Sequence, residues 1–196
     1  KSMTEVLERL QKDQPKAKAG AAVLINVKTG AILAMTSTPF LDPNDFANGL
    51  SKDKVAYYWD ENLKPTFNRA ISGTYPPGSS FKPVTGVAYL SSEKAMPSNT
   101  VYCGPSAWVK PRAGCPRAHG AVNLYKAMAV SCNTYFQEMG YRTGIDRLYQ
   151  TGKELGLGQL TGIDLPGEAA GLLPNKEWKE SSFKGWESTW RIYDTF

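Results

Sequence analysis

Pro83 limits the fold of this chain more than any other residue. It stands in "YPPGSSFKPVTGVAYLSS", where an apolar run at helical spacing follows the Pro76-Pro77-Gly78 turn. A proline in a helix interior costs about 3 kcal/mol, so a helix here must begin near Ser79 or Ser80, with Pro83 in its first turn. Ser79 then sits at the helix mouth, where free backbone N–H groups and the positive end of the dipole favour negative charge. An oxyanion formed when the Ser79 hydroxyl attacks a carbonyl would be stabilised there. Lys82 follows three residues later, about 4.5 Å along the axis and about 60° around it, so its amine can meet that hydroxyl on one face.

The S-x-x-K pattern alone carries little, since it also occurs at Ser51/Lys54, Ser91/Lys94 and Ser181/Lys184. In "PNKEWKESSFKG" the start signals are Pro174 and Asn175 and the stop signal is Gly185, which puts Ser181 near a helix C-terminus, where the dipole opposes an oxyanion. Ser51 and Ser91 read as surface residues. To act as a base near neutral pH, Lys82 must titrate about 3 pH units below a free lysine, which requires burial or a neighbouring positive charge. Phe81 and "VTGVAYL" provide an apolar setting. Taken alone, Ser79 could equally be an ordinary N-cap.

The 196 residues are enough to bury roughly 70% of the unfolded surface around one core. "MTEVLERLQK" spaces Met3, Val6, Leu7 and Leu10 as an amphipathic helix, and "AAVLINV" and "AILAMTS" flank a turn at Gly30 as a strand pair expected to be covered on both faces. From Pro39 to Pro76 the sequence is loop-rich. Helical patterns return in "NLYKAMAVSCNTYFQEMGYRTG" and "DRLYQTGKELGLG", before an irregular end. The net charge of +5 is scattered rather than clustered, which is weak support for an anionic surrounding and weaker still for nucleic acid, so no nucleic-acid partner is expected. No stretch approaches the roughly 20 apolar residues of a membrane span, and no signal-peptide pattern opens the chain, so any anchor is expected to lie outside it. Cys103, Cys115 and Cys132 fit neither a metal cage nor a disulfide scaffold, leaving open a Cys103–Cys115 pair across a loop or buried free thiols.

A second element lies in "AVSCNTYF", where Ser131-Cys132-Asn133 falls at a break between helical patterns. In this order, "YPPGSSFKP" and "AVSCNTYF" resemble the transpeptidase domain of class B penicillin-binding proteins, most closely the elongation-type, penicillin-binding protein 2-like group. "GAAVLINVKTGAILAMTSTPFLDPNDF" looks like that family's opening hairpin and "TGIDLPGE" like its later turn. The resemblance implies an α+β fold of the penicillin-binding protein/serine β-lactamase type, with a helical subdomain beside an antiparallel sheet. It also implies that Ser79 is the acylated nucleophile and Lys82 its proton acceptor. Ser131 would relay a proton to the leaving amine, and Asn133 would hold Lys82 and the substrate carbonyl.

The implied reaction crosslinks D-Ala-D-Ala-terminated peptidoglycan stem peptides, with β-lactams acylating the same serine and no metal or organic cofactor. The implied setting is the outer face of the bacterial cytoplasmic membrane, with an N-terminal anchor and with glycan-polymerising and shape-determining partners. The family's third motif, K-[ST]-G, should follow the second. The one Lys-Thr-Gly, at 28–30, precedes both and falls at the hairpin turn. Residues 1–196 are therefore expected to be the N-terminal part of the domain and inactive alone. Two alternatives are a serine β-lactamase, with Glu168 as a tempting water-activating base, and a non-catalytic sensor or structural module.

Overall fold

In a computed structural model the structure describes residues 2–14, 16–47, 49–93, 95–105 and 114–182. Lys94, Lys184 and Gly185, and the side chains of Met3 and Leu7, lie outside them. The chain divides into two compact units, residues 1–74 with 162–169, and residues 75–161 with 170–196.

The first unit opens with helix α1 (Ser2–Asp13) and strands β1 (Gly20–Ile25) and β2 (Ile32–Thr38). The strands pair antiparallel from Gly20 opposite Thr38 to Leu24 opposite Ala34, with an irregularity between Leu24 and Ile25. Lys28-Thr29-Gly30 forms the connecting turn, in which Gly30 takes a φ of 75° that its missing Cβ permits. The expectation that both faces of the pair are covered does not hold among the described residues. α1 packs on β2, yet Leu24 and Leu33 remain 53% and 62% exposed.

The loop-rich reading of 39–76 also needs correction, because α2 (Pro43–Ala47) and α3 (Lys52–Tyr58) occur there. Both are too short to show a helical period, and local capping holds them: Ser51 Oγ accepts the Lys54 N–H at 3.3 Å. Between them the buried Tyr58 donates to Asp45 and accepts the Asp42 N–H. Residues 162–169 join this unit through Ser72 Oγ, which donates to Gly167 O, and through the Ala169 N–H to Ile71 O.

The second unit begins with a 3₁₀ turn (Gly78–Phe81) that runs directly into α4 (Lys82–Leu90), with Pro83 in the first turn as its chemistry requires. β3 (Val101–Cys103) pairs antiparallel with β4 (Gly120–Val122), followed by α5 (Leu124–Ala129), α6 (Asn133–Thr143), α7 (Ile145–Glu154) and α8 (Lys176–Ser182). α4 packs on α6 and α7. The core gathers Tyr89, Val122, Ala127, Tyr135, Phe136 and Met139 with all three cysteines. At Gly86 an added Cβ would meet Leu124 and Phe136 at 3.5 and 3.8 Å, so α4 lies close against α5 and α6.

α5 is anchored by Asn123, whose Oδ1 accepts the Lys126 N–H at 3.1 Å. Asn123→Ala is expected to destabilise the protein by about 1 kcal/mol, read as a lower denaturation midpoint at unchanged slope. α5 ends in a Schellman turn, in which the Cys132 N–H bonds Ala127 O and the Ser131 N–H bonds Met128 O. Ser131 occupies the left-handed position of that turn, with φ 52°. Glycine is the usual residue there, and an L side chain costs roughly 1–2 kcal/mol.

Candidate active site

The 3₁₀ turn places the first two candidate residues. Side chains three apart on such a turn eclipse, so Ser79 and Lys82 share one face, and the Lys82 N–H closes the turn on Ser79 O. Ser79 is exposed. Its neighbour Ser80 turns its hydroxyl back to donate to Pro77 O at 2.6 Å, which occupies it locally. Lys82 is the opposite case, only 3% exposed.

The strained turn after α5 brings up the other two candidates. Lys82 Nζ donates to Ser131 O at 2.7 Å, to Ser131 Oγ at 2.8 Å and to Asn133 Oδ1 at 2.6 Å. The Phe136 ring centroid lies 5.7 Å from the same nitrogen. Asn133 is itself held at two points. Its Nδ2 donates to Gly114 O at 2.9 Å, and its backbone N–H, an orphan donor at the start of α6, points to Cys115 Sγ at 3.2 Å.

Burial is the main force on the Lys82 amine, pushing its pKa below the ordinary 10.5, while the Cys115 and Cys132 sulfurs pull it partly back. Of the two causes that the sequence left open, burial and a positive neighbour, burial is the one found. Once the amine gives up a proton, its lone pair can accept one from a hydroxyl on the same face. An exposed hydroxyl at a helix mouth, a buried amine on the same face of that turn, and a second hydroxyl and an amide touching the amine are groups of the kind that acyl transfer uses.

Residues 20–186 match the family model described as the penicillin binding protein transpeptidase domain. The chain belongs to the penicillin-binding protein transpeptidase family. It is 37% identical over 178 residues to the peptidoglycan D,D-transpeptidase MrdA of Acinetobacter baumannii, covering 88% of this chain and 26% of that protein. With the MrdA of Escherichia coli K12 it shares 39% over 171 residues, covering 84% of this chain and 27% of that one. Among solved structures, a complex between penicillin-binding protein PBP2 and MreC from Helicobacter pylori aligns with a TM-score of 0.80 at 34% identity. That alignment covers 96% of this chain and 36% of the other. Pseudomonas aeruginosa PBP2 in complex with WCK 5153 aligns at 0.75, also with 34% identity, over 96% of this chain and 43% of that one. The chain thus spans about a quarter of the curated relatives it matches.

Within this transpeptidase fold the other S-x-x-K serines are exposed, as read. Ser181 is in the last turn of α8, exposed and donating to Trp178 O. Ser51 caps α3, and Ser91 closes α4 with its hydroxyl on Val87 O. Glu168 belongs to the other unit.

Of the two readings left open for the cysteines, buried free thiols hold: all three are free and buried, and the Cys115 and Cys132 sulfurs lie 3.7 Å apart. They converge on His119, with the four donor atoms within 4.8 Å of one another. Three sulfurs and an imidazole at this spacing could hold one soft divalent ion such as zinc, a grouping that their spacing along the chain does not suggest. The signal in the sequence was that every cysteine and the one histidine fall between 103 and 132. The β3–β4 hairpin, which brings Cys103 beside His119, was not legible because its strands have three residues each.

Proposed function

We propose that this chain is the N-terminal part of the catalytic domain of a D,D-transpeptidase that crosslinks peptidoglycan stem peptides through an acyl-enzyme on Ser79. The observation that carries this reading is the buried Lys82 amine, which residues 49 and 51 positions away in sequence, Ser131 and Asn133, meet by hydrogen bonds. The names of the curated relatives, peptidoglycan D,D-transpeptidases, support it.

The chemistry follows from the groups. Neutral Lys82 takes the Ser79 proton as Oγ attacks the carbonyl of the penultimate D-Ala, and N–H groups at the helix mouth stabilise the oxyanion. Collapse forms the ester and expels the terminal D-Ala, whose amine nitrogen receives the proton from Lys82 by way of the Ser131 hydroxyl. An amine from a neighbouring strand then attacks the ester, passes a proton back along the same path, and frees Ser79. Asn133 keeps Lys82 in place and offers its remaining amide N–H to the substrate backbone. All of these groups belong to the protein, and none needs an organic cofactor.

The opposite wall of the site, with the K-[ST]-G strand, belongs to a downstream segment, so isolated 1–196 is inactive on this reading. The site works outside the cytoplasmic membrane, with the protein tethered by an N-terminal anchor. No helix among the described residues is long and apolar enough to cross a membrane. The H. pylori PBP2 complex with MreC supports a shape-determining partner, and the substrate implies a glycan-polymerising one.

The test is intact-mass spectrometry of the full-length protein before and after benzylpenicillin, with digestion to locate the adduct. A single penicilloyl group on Ser79 that persists for many minutes is expected. Rapid turnover would favour a β-lactamase, and an adduct elsewhere would overturn the assignment of the nucleophile.

A further inference from the structure

We propose that the cleft where α4 and α6 end and α7 begins binds a short peptide or amino acid as a zwitterion, its carboxylate held by Arg142 and Arg147 and its ammonium by Glu93. This site stands apart from the transpeptidase reading and needs no chemistry at Ser79.

The cleft is built from helix ends. Tyr89 is the last residue but one of α4, Arg142 the last but one of α6, and Arg147 the third of α7. With Ser92, Glu93 and Asn99 from the segment after α4, they line a cavity of about 500 Å³, a size that suits a small ligand. Lys82 and Asn133 are the first residues of α4 and α6, so the cleft lies at the far ends of both helices. Along α4 alone the rise from Lys82 to Tyr89 is about 10 Å.

Its walls are held in place by hydrogen bonds. Tyr89 is 5% exposed, its hydroxyl accepts Asn99 Nδ2 at 2.6 Å, and Ser92 Oγ donates to Tyr89 O at 2.7 Å. Arg147 Nη1 donates to Ser91 O at 3.0 Å, which ties α7 to the end of α4, and Arg142 Nε donates to Glu138 Oε1 at 2.9 Å. Among the described residues each guanidinium makes this one hydrogen bond, and a guanidinium carries five N–H donors. Both arginines are exposed, so the remaining donors can meet a ligand from solvent. Their planar forks match the paired oxygens of a carboxylate.

A second observation points to an acceptor. The Tyr135 hydroxyl is fully buried and has no hydrogen-bond partner among the described residues. Burial pushes its pKa up to about 12, Tyr89 raises it further and Arg142 lowers it. Both of those neighbours belong to the cleft, and Tyr135 lies two turns before Arg142 on one face of α6. An unpaired buried hydroxyl is costly, and an anion seated between Tyr89 and Arg142 is the kind of acceptor that relieves it. Charge then selects the anion. With Glu138 counted, the two guanidiniums are balanced by two carboxylates, so a dianion such as phosphate meets repulsion as well as attraction. A zwitterion satisfies both signs, because its ammonium pairs with Glu93.

The experiment titrates triglycine into the full-length protein by calorimetry, with N-acetyl-triglycine, triglycinamide and inorganic phosphate as comparisons. Triglycine is expected to bind at one site, with the same affinity before and after treatment with benzylpenicillin. Removing either of its charges should weaken binding about tenfold or more, and phosphate should bind more weakly than triglycine. Alanine distinguishes the two sources of this chemistry: affinity equal to that of triglycine assigns the site to free amino acids, and a value about tenfold weaker assigns it to peptides. Arg142→Gln and Arg147→Gln should each weaken triglycine about tenfold, with denaturation midpoints recorded to separate lost binding from lost packing. Glu93→Gln changes an exposed side chain, and it should weaken triglycine while leaving N-acetyl-triglycine unchanged. No binding of triglycine, phosphate bound more tightly than triglycine, binding lost after benzylpenicillin, or a Glu93→Gln variant that binds like the parent would each overturn the proposal. If benzylpenicillin leaves no adduct on Ser79, the transpeptidase reading falls, while the titrations of peptide and variants still decide the cleft.

Discussion

Lys82→Ala is expected to slow acylation of Ser79 by benzylpenicillin by about 10²–10⁴-fold, the range a positioned general base provides. The reason is in its surroundings. Lys82 is buried and hydrogen-bonded to Ser131 and Asn133, so its loss removes the proposed base and takes from Ser131 Oγ and Asn133 Oδ1 the donor they share. Lys82→Arg separates these effects. It keeps a cation at the site, yet a guanidinium cannot give up its proton, so the arginine variant should be nearly as slow as the alanine one.

The pH dependence has a defined sign. Burial holds the Lys82 pKa below 10.5, so the parent rate should climb with pH through a midpoint under that value, and neither variant should show this limb. Because the folded state binds this proton more weakly than the unfolded chain, stability should also rise with pH across the window below 10.5 and level off above it. Fluorescent-penicillin labelling rates against pH measure the first effect, and denaturant midpoints the second. An alanine variant within tenfold of the parent would remove Lys82 from the role of base.

Phe136→Ala should produce the largest loss of stability, about 3–5 kcal/mol, because its fully buried ring would leave a cavity in a close-packed core. That ring stands edge-on to Tyr135 at 5.4 Å and lies where α4 passes close at Gly86. Phe136→Leu retains most of the volume and is expected to cost less than about 1.5 kcal/mol. It also removes the aromatic face 5.7 Å from Lys82 Nζ. The leucine variant therefore reports on acylation in a protein that still folds, and the alanine variant on packing. Denaturation midpoints of the two, compared with the parent, provide the measurement.

Which parts of the fold were legible depends on how local their causes are. Pro83 restricts its own helix through bonded geometry, so the start of α4 and the position of Ser79 could be read from a few residues. The break between α5 and α6 was visible for the same reason, as were the turn at Lys28-Thr29-Gly30 and the Asn175 start of α8. α2 and α3 were missed because helices of five and seven residues complete too few turns to impose a period. The cysteine cluster was missed for a different reason. Its donors meet only after β3 and β4 pair and the Cys115 segment comes against the start of α6, contacts that span the chain from 103 to 133 and leave no periodic trace. Spacing along the chain left a Cys103–Cys115 link and buried free thiols both open, and it gave no sign that Cys115 and Cys132 would lie 3.7 Å apart as free thiols.

At most positions backbone and chemistry accept the same residue, but at Ser131 they ask for different ones. The chain there adopts a conformation that glycine enters freely, and a hydroxyl must project from the same atom to reach the Lys82 amine. A glycine would relax the turn and remove the proposed proton relay, while a bulkier residue without a hydroxyl would lose both. Serine is the smallest side chain that carries a hydroxyl, so the misfit is confined to one Cβ. The second motif is in this sense a compromise held in place by its neighbours, with the helix on either side supplying the stability that the turn itself gives up.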